Sequence, residues 1–424
     1  MAIKPSKEEI TAFTQVMDAF EADEVMSIML PKLNISTEQA ERTADTLWLP
    51  EPYITQAYDG IDQTANFSKV KTQLSVPATI GYKKSSPFTL SATELRDAMQ
   101  EQRLGDAARQ ALSAQINIDC VDRISMLGTI NVKRTTAAVG FDDIGAIDVV
   151  LDEQGIAKSG RKFALSSRDW INVASDLAKR QDTQKDSATM TAYEAAAFGN
   201  IAGMDGYRLP YAKRLALAAG GAITVNTLDA GLNYYLPIAL ETSAAGEIRN
   251  HDNRFQTLTV SATASVKAGD WFTVANVYAV HHVTKQQSNS LKSFRVISVT
   301  DGTHLVISPP MISNQVAADA SEQYQNCVVT SKNAAAVITW LNTADGYINP
   351  FWHDSAVKLI PGRYAIPSDA GLQVLRGTTK SVFELVMSKQ GAINDLSFKY
   401  RFDVMYGIAV LQPEMVGGIM FSQP

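Results

Sequence analysis

The chain of 424 residues is poor in cysteine, with Cys120 and Cys327 alone. That excludes the disulfide framework of a small secreted scaffold and fits a reducing cytoplasm. No apolar run approaches the ~18 residues that a membrane-spanning helix needs. No block of lysine and arginine occurs. With 38 basic and 44 acidic residues the net charge is −6, so the basic footprint of a nucleic-acid-binding domain is missing. The first residues, Met1 to Pro5, lead into an acidic polar segment and not into an apolar signal core. Internal repeats and low-complexity stretches are absent too, which argues against solenoids and β-helical arrays.

The common catalytic signatures are also missing. There is no Gly-rich loop ending in Gly-Lys-Ser/Thr, no dinucleotide fingerprint, no His-Glu-x-x-His and no Gly-x-Ser-x-Gly elbow. Paired cysteines at metal-ligand spacing do not occur. Histidine is scarce, at five residues: His251, His281, His282, His304 and His353. Adjacent residues on a strand point to opposite faces, so His281 and His282 read as a solvated loop pair beside Lys285 and Gln286. His304 reads as a turn residue. Asp142 and Asp143 read as helix-start acids with no evident cationic setting. No catalytic, cofactor-binding or metal-binding residue is assigned.

Hydrophobic residues make up 46% of the chain and charged residues 19%, the balance of a globular protein with several domain-sized parts. Residues 6–30 have the spacing of an amphipathic helix, with Ile10, Phe13, Met17 and Phe20 on one stripe and Pro31 as the stop. Between Ser6 and Glu24 the acids Glu8, Glu9, Asp18, Glu21, Asp23 and Glu24 face a single lysine, Lys7. Residues 51–90 are polar and alternating, the texture of a long two-stranded loop without a core of its own. Ser91-Ala92-Thr93-Glu94 forms a capping box. From there to Leu127 no proline intervenes, which predicts a helix on the order of 55 Å.

Further helices are expected at Asp142–Leu151 and Arg168–Lys179, with a strand at 162–165. From about residue 222 the texture turns to β. Strands at Phe255–Ala264, Trp271–Val277, Phe294–Val299 and His304–Ser308 include a hairpin at Asp301-Gly302. Residues 345–424 are mixed, with strands at Val382–Met387 and Phe398–Val404.

Several stretches resemble the major coat proteins of short-tailed, lambdoid-type bacteriophages. They are Asp252-Asn253-Arg254-Phe255 with the following Thr257–Thr263, Gly269-Asp270, Phe294-Arg295-Val296, Val299–His304, Phe351-Trp352, Asp354-Ser355-Ala356, Tyr406-Gly407 and Pro413-Glu414. Leu95-Arg96-Asp97 and Ala107-Ala108-Arg109 add to them. The resemblance implies an α+β fold of the Hong Kong 97 capsid class with a long spine helix, an extended loop, peripheral and axial domains, and an inserted telokin-like β domain. It implies an N-terminal arm at 1–50, the extended loop at 51–90 and the spine at 91–130. The peripheral domain and the start of the axial domain come next at 131–221, then the inserted β domain at 222–342, and the axial domain with C-terminal peripheral strands at 343–424.

The resemblance also implies a function. The chain is expected to self-assemble into hexamers and pentamers of an icosahedral procapsid, with a scaffolding protein and a portal protein. It is expected to enclose double-stranded DNA without specific contacts, to bind no cofactor and no membrane, to be assembled in the host cytoplasm and to end in the virion. A charged hairpin at 241–253 is expected to meet a neighbour across a local two-fold, with Glu247, Arg249 and Asp252 as contact candidates. This loop is less acidic than the family's. Asp18, Glu21 and Glu24 are the candidates for docking a basic scaffolding helix. Two other readings compete: a phage tail or surface-binding module, which repeats would favour, and an enzyme, which two carboxylates at catalytic separation would favour.

Overall fold

The structure is a computed structural model that describes residues 10–422 apart from 12, 18–19, 21–25, 34–45, 95–97, 180–198, 227, 229–232, 332–334, 367–372 and 380–381. The chain divides into two compact units, residues 1–47, 78–121 and 357–409, and residues 48–77, 122–356 and 410–424.

The first unit is built on a five-stranded sheet. Its central strand, Ser397–Val410, is flanked on one side by Glu384–Ala392 and then Gln373–Thr378. It also pairs with Val357–Pro361 and Tyr82–Ser91. Tyr82–Ser91 runs antiparallel to it in unbroken register from Ser91↔Ser397 to Tyr82↔Tyr406. Aromatic cross-strand pairs line this ladder. Tyr82 stacks on Tyr406 at 5.3 Å and Phe88 on Tyr400 at 5.1 Å, contacts that stabilise a sheet face beyond simple burial. Buried Leu112, Ile116 and Cys120 recur at the spacing that keeps one helix face turned inward.

The long helix runs over Ala98–Leu127, 30 residues, or ~45 Å. The Ser91–Glu94 box is present: Ser91 N–H donates to the Glu94 carboxylate at 2.8 Å, and Glu94 N–H donates to Ser91 Oγ at 3.4 Å. Of the N-terminal segment, Phe13, Val16 and Phe20 are buried, and a short helix spans Met26–Met29. At Gly105 a Cβ would sit 3.4 Å from Val16 Cγ2, in ordinary contact.

The second unit holds two seven-stranded sheets. In one, Ile130–Lys133, Val416–Met420, Gly346–His353, Arg161–Ser166, Met204–Leu209 and Asn200–Ile201 lie in that order, with Lys213–Leu215 also on Gly346–His353. The helices Phe141–Glu153 and Ser167–Lys179 supply Ile144, Ile147, Leu151, Trp170 and Val173 to its core, with Phe163 and Phe351 from the strands. Asp143 has the cationic partner that its sequence context did not reveal. It pairs with Arg134 at 3.0 Å and accepts the Val139 amide at 2.7 Å. The loop before the helix folds back on it and brings Arg134 within reach.

The other sheet orders Gln256–Thr259, His304–Ser308, Gln287–Val299, Trp271–Val280, Ala335–Trp340 and Thr224–Asn226, with Cys327–Val329 on Trp271–Val280. A bridge between Val225 and Val260, with Ser261 N–H on Thr224 O at 2.8 Å, brings the first and last strands together. The result is a nearly closed barrel, which leaves little free strand edge. Its interior is filled by Val225, Leu258, Val260, Phe272, Val274, Phe294, Val296, Leu305, Ile307 and Ile338. Gly128, just past the long helix, is the anchor on its outer side. Its carbonyl accepts from Trp271 Nε1 at 3.2 Å and Arg295 Nη1 at 3.1 Å, and the Arg295 guanidinium lies 3.6 Å from the Trp271 ring centroid.

Residues 51–90 depart from a free loop. Leu74, Val76, Ala78 and Ile80 are buried. Farther out, the backbone is held by the helix Asp319–Tyr324 of the same chain. Val70 N–H donates to Asp319 at 2.9 Å, and Thr72 exchanges hydrogen bonds of 3.0 Å with the Gln323 amide. Lys69 pairs with Glu322 at 2.7 Å. The alternating pattern does mark extended chain, but its partner is remote in sequence.

Candidate assembly surfaces

The segment 240–253 forms a two-stranded hairpin of its own. Leu240–Thr242 pairs antiparallel with Ile248–Asn250 in the register Leu240↔Asn250, Glu241↔Arg249 and Thr242↔Ile248. Its turn is closed by Ser243, whose N–H donates to Glu247 O at 2.8 Å and whose Oγ accepts the Glu247 amide at 3.1 Å. Gly246 stands at φ +85°, a conformation that side chains rarely adopt. The hairpin is pinned at its base. His251 lies between Glu241, 2.5 Å from Nδ1, and the Tyr235 hydroxyl, 2.8 Å from Nε2. Asn253 ties Tyr235 and both backbone groups of Ile238 together at 2.8–3.0 Å.

The three contact candidates have different surroundings. Arg249 is bound to Glu241 directly across the ladder. Asp252 receives two bonds from the Arg254 guanidinium, at 2.8 and 2.7 Å, and one from its backbone amide at 3.2 Å, and the guanidinium continues to the carbonyl of Val410 at 2.7 Å. Glu247 sits at the turn and makes no ion pair among the described residues. Hydrogen bonds from His251 and Arg249 hold the Glu241 carboxyl below its usual range. The sequence pattern singles out the loop but does not show that its charges are satisfied within the chain.

Asp18, Glu21 and Glu24 lie outside the described residues.

A second charged cluster has no signature in the sequence. Glu414 accepts from Asn326 Nδ2, and Lys292 Nζ stands 3.5 Å from it. Desolvation opposes its charge, yet Lys292 and the Asn326 bond outweigh that and hold the carboxyl below its usual range. Glu51, Arg254, His282 and Lys285 line the same small cavity of about 80 Å³, together with Pro309 and Pro310. Partial burial, then repulsion by Glu414, pushes Glu51 up to about 7.

His282 is therefore no solvated loop residue. Its amide donates to Gln154 O at 2.8 Å, and burial pushes its imidazole down to about 4. His281 Nδ1 accepts the amides of Val283 and Thr284 at 3.3 and 3.2 Å, a turn-stabilising role. These two histidines are taken up by separate structural tasks. His304 is a turn residue, 2.8 Å from Asp301. Among the described residues no group of three or more His, Cys, Asp or Glu side chains could hold a metal ion. Among them, too, no helix is long and apolar enough to cross a membrane.

A model of the P22 coat protein family, gene protein 5, matches residues 1–422. Solved structures similar to the chain include one of Mycobacterium phage Che8, at 11% identity over 93% of this chain and 90% of that one, with a TM-score of 0.44. The capsid structure of the cyanophage P-SCSP1u matches at 10% identity over 95% and 89%, with a TM-score of 0.44. The I-domain of the CUS-3 coat protein matches at 32% identity, covering 29% of this chain and 97% of that one, with a TM-score of 0.22. The family model spans nearly the entire sequence: the chain belongs to the P22 coat protein family, with a capsid fold of the Hong Kong 97 class, and is a major capsid protein that builds the icosahedral shell of a phage virion.

Proposed function

We propose that the chain assembles in the host cytoplasm as a procapsid of hexamers and pentamers, with a scaffolding protein and a portal protein, and then encloses double-stranded DNA without sequence-specific contacts. The observation that carries this reading is the match of the coat-protein family model over residues 1–422. The mild net charge of −6 supports it, since such a surface does not trap DNA on the inner wall. The work of such a subunit is geometric and requires no catalysis. Many weak contacts close on a symmetric shell, and their sum makes it permanent. Electron microscopy of the chain co-produced with its scaffolding protein tests the proposal. Closed shells with capsomers are expected; amorphous aggregates or tail-like tubes would refute it.

The division of the chain belongs to the same proposal: an arm at 1–50, an extended segment at 51–90, the spine at 91–130, the peripheral region and the start of the axial domain at 131–221, an inserted β domain at 222–342, and the rest of the axial domain with peripheral strands at 343–424. The separate barrel core supports the insertion, because nearly all of its residues fall between Ile223 and Trp340. The hairpin with Glu247, Arg249 and Asp252 is proposed as a contact between neighbouring subunits. Asp18, Glu21 and Glu24 are proposed as the scaffold-docking acids. Exposed ion pairs are each worth about 0–1 kcal/mol and weaken with salt, which suits a partner that must leave. Scaffold binding to empty shells is expected to weaken steeply as salt rises, and to be lost when the three acids become lysine. Insensitivity to both, read by co-sedimentation, would place docking elsewhere.

A further inference from the structure

The barrel strands Trp271–Val280 and Gln287–Val299 are joined by a turn that is closed on itself. His281 N–H donates to Gln286 O at 2.9 Å, and Lys285 N–H donates to His281 O at 3.0 Å. Lys285 stands at φ +57°, a conformation that a residue with a side chain adopts at a cost. This turn sets both His282 and Lys285 on the wall of the cavity of about 80 Å³. Glu51, at the root of the extended segment, lines it too, and Leu74, Pro309, Pro310 and Ile312 supply apolar wall.

Most charges around this cavity are matched. Arg254 is spent on Asp252, and Glu414 on Lys292 and Asn326. Three groups are left over. Lys285 Nζ donates once, to the neutral carbonyl of Gln325 at 3.0 Å, and forms no ion pair among the described residues. The Glu51 carboxyl and the His282 ring make no hydrogen bond among them either. Burial pushes Lys285 down to about 8, the mark of an ammonium without a close counter-ion. Burial also pushes His282 down to about 4, while burial and repulsion by Glu414 push Glu51 up to about 7. At about pH 6 the cavity therefore holds one unmatched cation, a carboxyl that keeps its proton and a neutral imidazole. Each has an N–H or O–H to give.

We propose that this cavity binds a short monocarboxylate of about two or three carbons, held between Lys285 Nζ and the Glu51 carboxyl, with its carbon end on Pro309, Pro310 and Ile312. An acceptor with a single negative charge is what the spare donors lack. Size sets the length: a water needs ~10–15 Å³ of such space and a cavity of ~150 Å³ admits benzene, so about 80 Å³ has room for a few heavy atoms. A phosphate would bring a second charge that finds no partner. Glu51, His282, Lys285, Gln325 and Gln412 all keep some exposure, which gives a solute a way in. Occupancy joins the root of the extended segment to the barrel turn and to the stretch from Leu411 to Met415.

The test uses the full-length chain as unassembled subunits at about pH 6. Propionate, acetate, phosphate and chloride are titrated at matched ionic strength, and binding is read by calorimetry and by melting temperature. Propionate is expected to give a saturable heat and a higher melting temperature, and acetate a weaker response. Phosphate and chloride are expected to give neither. Lys285→Met, with circular dichroism as in the wild type, is expected to weaken propionate binding at least tenfold. Lys285→Arg and Glu51→Gln each keep a donor and are expected to stay within about threefold. If Lys285→Met does not fold, Glu51→Ala decides, with a loss of at least fivefold expected. No saturable response to propionate, or an unchanged one in Lys285→Met or Glu51→Ala, would overturn the site. A phosphate response as strong as that of propionate would overturn its chemical class, and loss of binding in Glu51→Gln would overturn the place given to Glu51.

Discussion

Asp119 gathers three partners, Gln115 one helical turn away and Lys84 and Tyr406 from distant parts of the chain. Its carboxylate accepts the Tyr406 hydroxyl at 2.7 Å, meets Lys84 at 2.8 Å and accepts the Gln115 amide at 2.9 Å. Burial, with the bond to Asp119, pushes the Tyr406 phenol upward. Asp119→Ala strands a buried hydroxyl, and a loss of about 1–3 kcal/mol in denaturant unfolding is expected. Glu51 is the residue whose charge state should be visible in stability. Its pKa in the folded chain is about 7, above the usual carboxylate value of 4.5. The folded state therefore holds the proton more tightly than the unfolded one. That contribution is full below about pH 4.5 and is lost as pH rises through 7. His282 and Lys285, depressed to about 4 and about 8, change with the opposite sign in their own ranges. The clean measurement is thus the melting-temperature difference between wild type and Glu51→Gln. It should move against the wild type from pH 5.5 to 8, and a flat difference would show that Glu51 titrates normally.

At the scale of elements, the long helix is the most legible feature. An uninterrupted run behind a capping box needs no knowledge of the partner; of the apolar stripe its spacing suggests, Ala108, Val121 and Ile124 lie inside, whereas Ala111 is exposed and Ile116 takes the inward place. Ile116→Ala is expected to cost about 2–5 kcal/mol, read as a lower denaturant midpoint with an unchanged slope. The extended segment is half legible. Its alternation marks Leu74, Val76 and Ala78 as one face, but nothing local announces that Asp319, Glu322 and Gln323 hold its outer part. Backbone groups of an extended chain must find partners wherever the fold offers them, and such partners are set by topology. The hairpin at 240–250 shows in the sequence only as a charged polar stretch, because three-residue strands leave no readable period.

For the whole molecule, the barrel has a separable core with its own bridge closing the ends, yet Trp271 and Arg295 reach outside it to Gly128. The fragment 222–342, about 120 residues, exceeds the size at which a domain can fold alone. A single cooperative melt with dispersed amide signals is expected from it. Its midpoint should fall below that of the barrel in the full chain, since the cation–π pair loses its carbonyl anchor. A collapsed spectrum would show instead that the barrel depends on its host.

The sequence by itself determined the local elements: the spine, the two helices over Phe141–Glu153 and Ser167–Lys179, and the hairpin turn at Asp301-Gly302. Each comes from spacing, caps or turn residues within a few positions, and the joint motifs of the C-terminal half carried the family. Only the tertiary structure decided which charges are spent. Arg134 on Asp143, Arg249 on Glu241, Arg254 on Asp252 and Lys292 on Glu414 are pairs of very different sequence separation. The reason is physical. Apolar periodicity is imposed on every residue of a helix or strand by its own geometry, whereas an ion pair is one contact between two side chains that the fold brings within a few ångström. No pattern along the chain records that meeting.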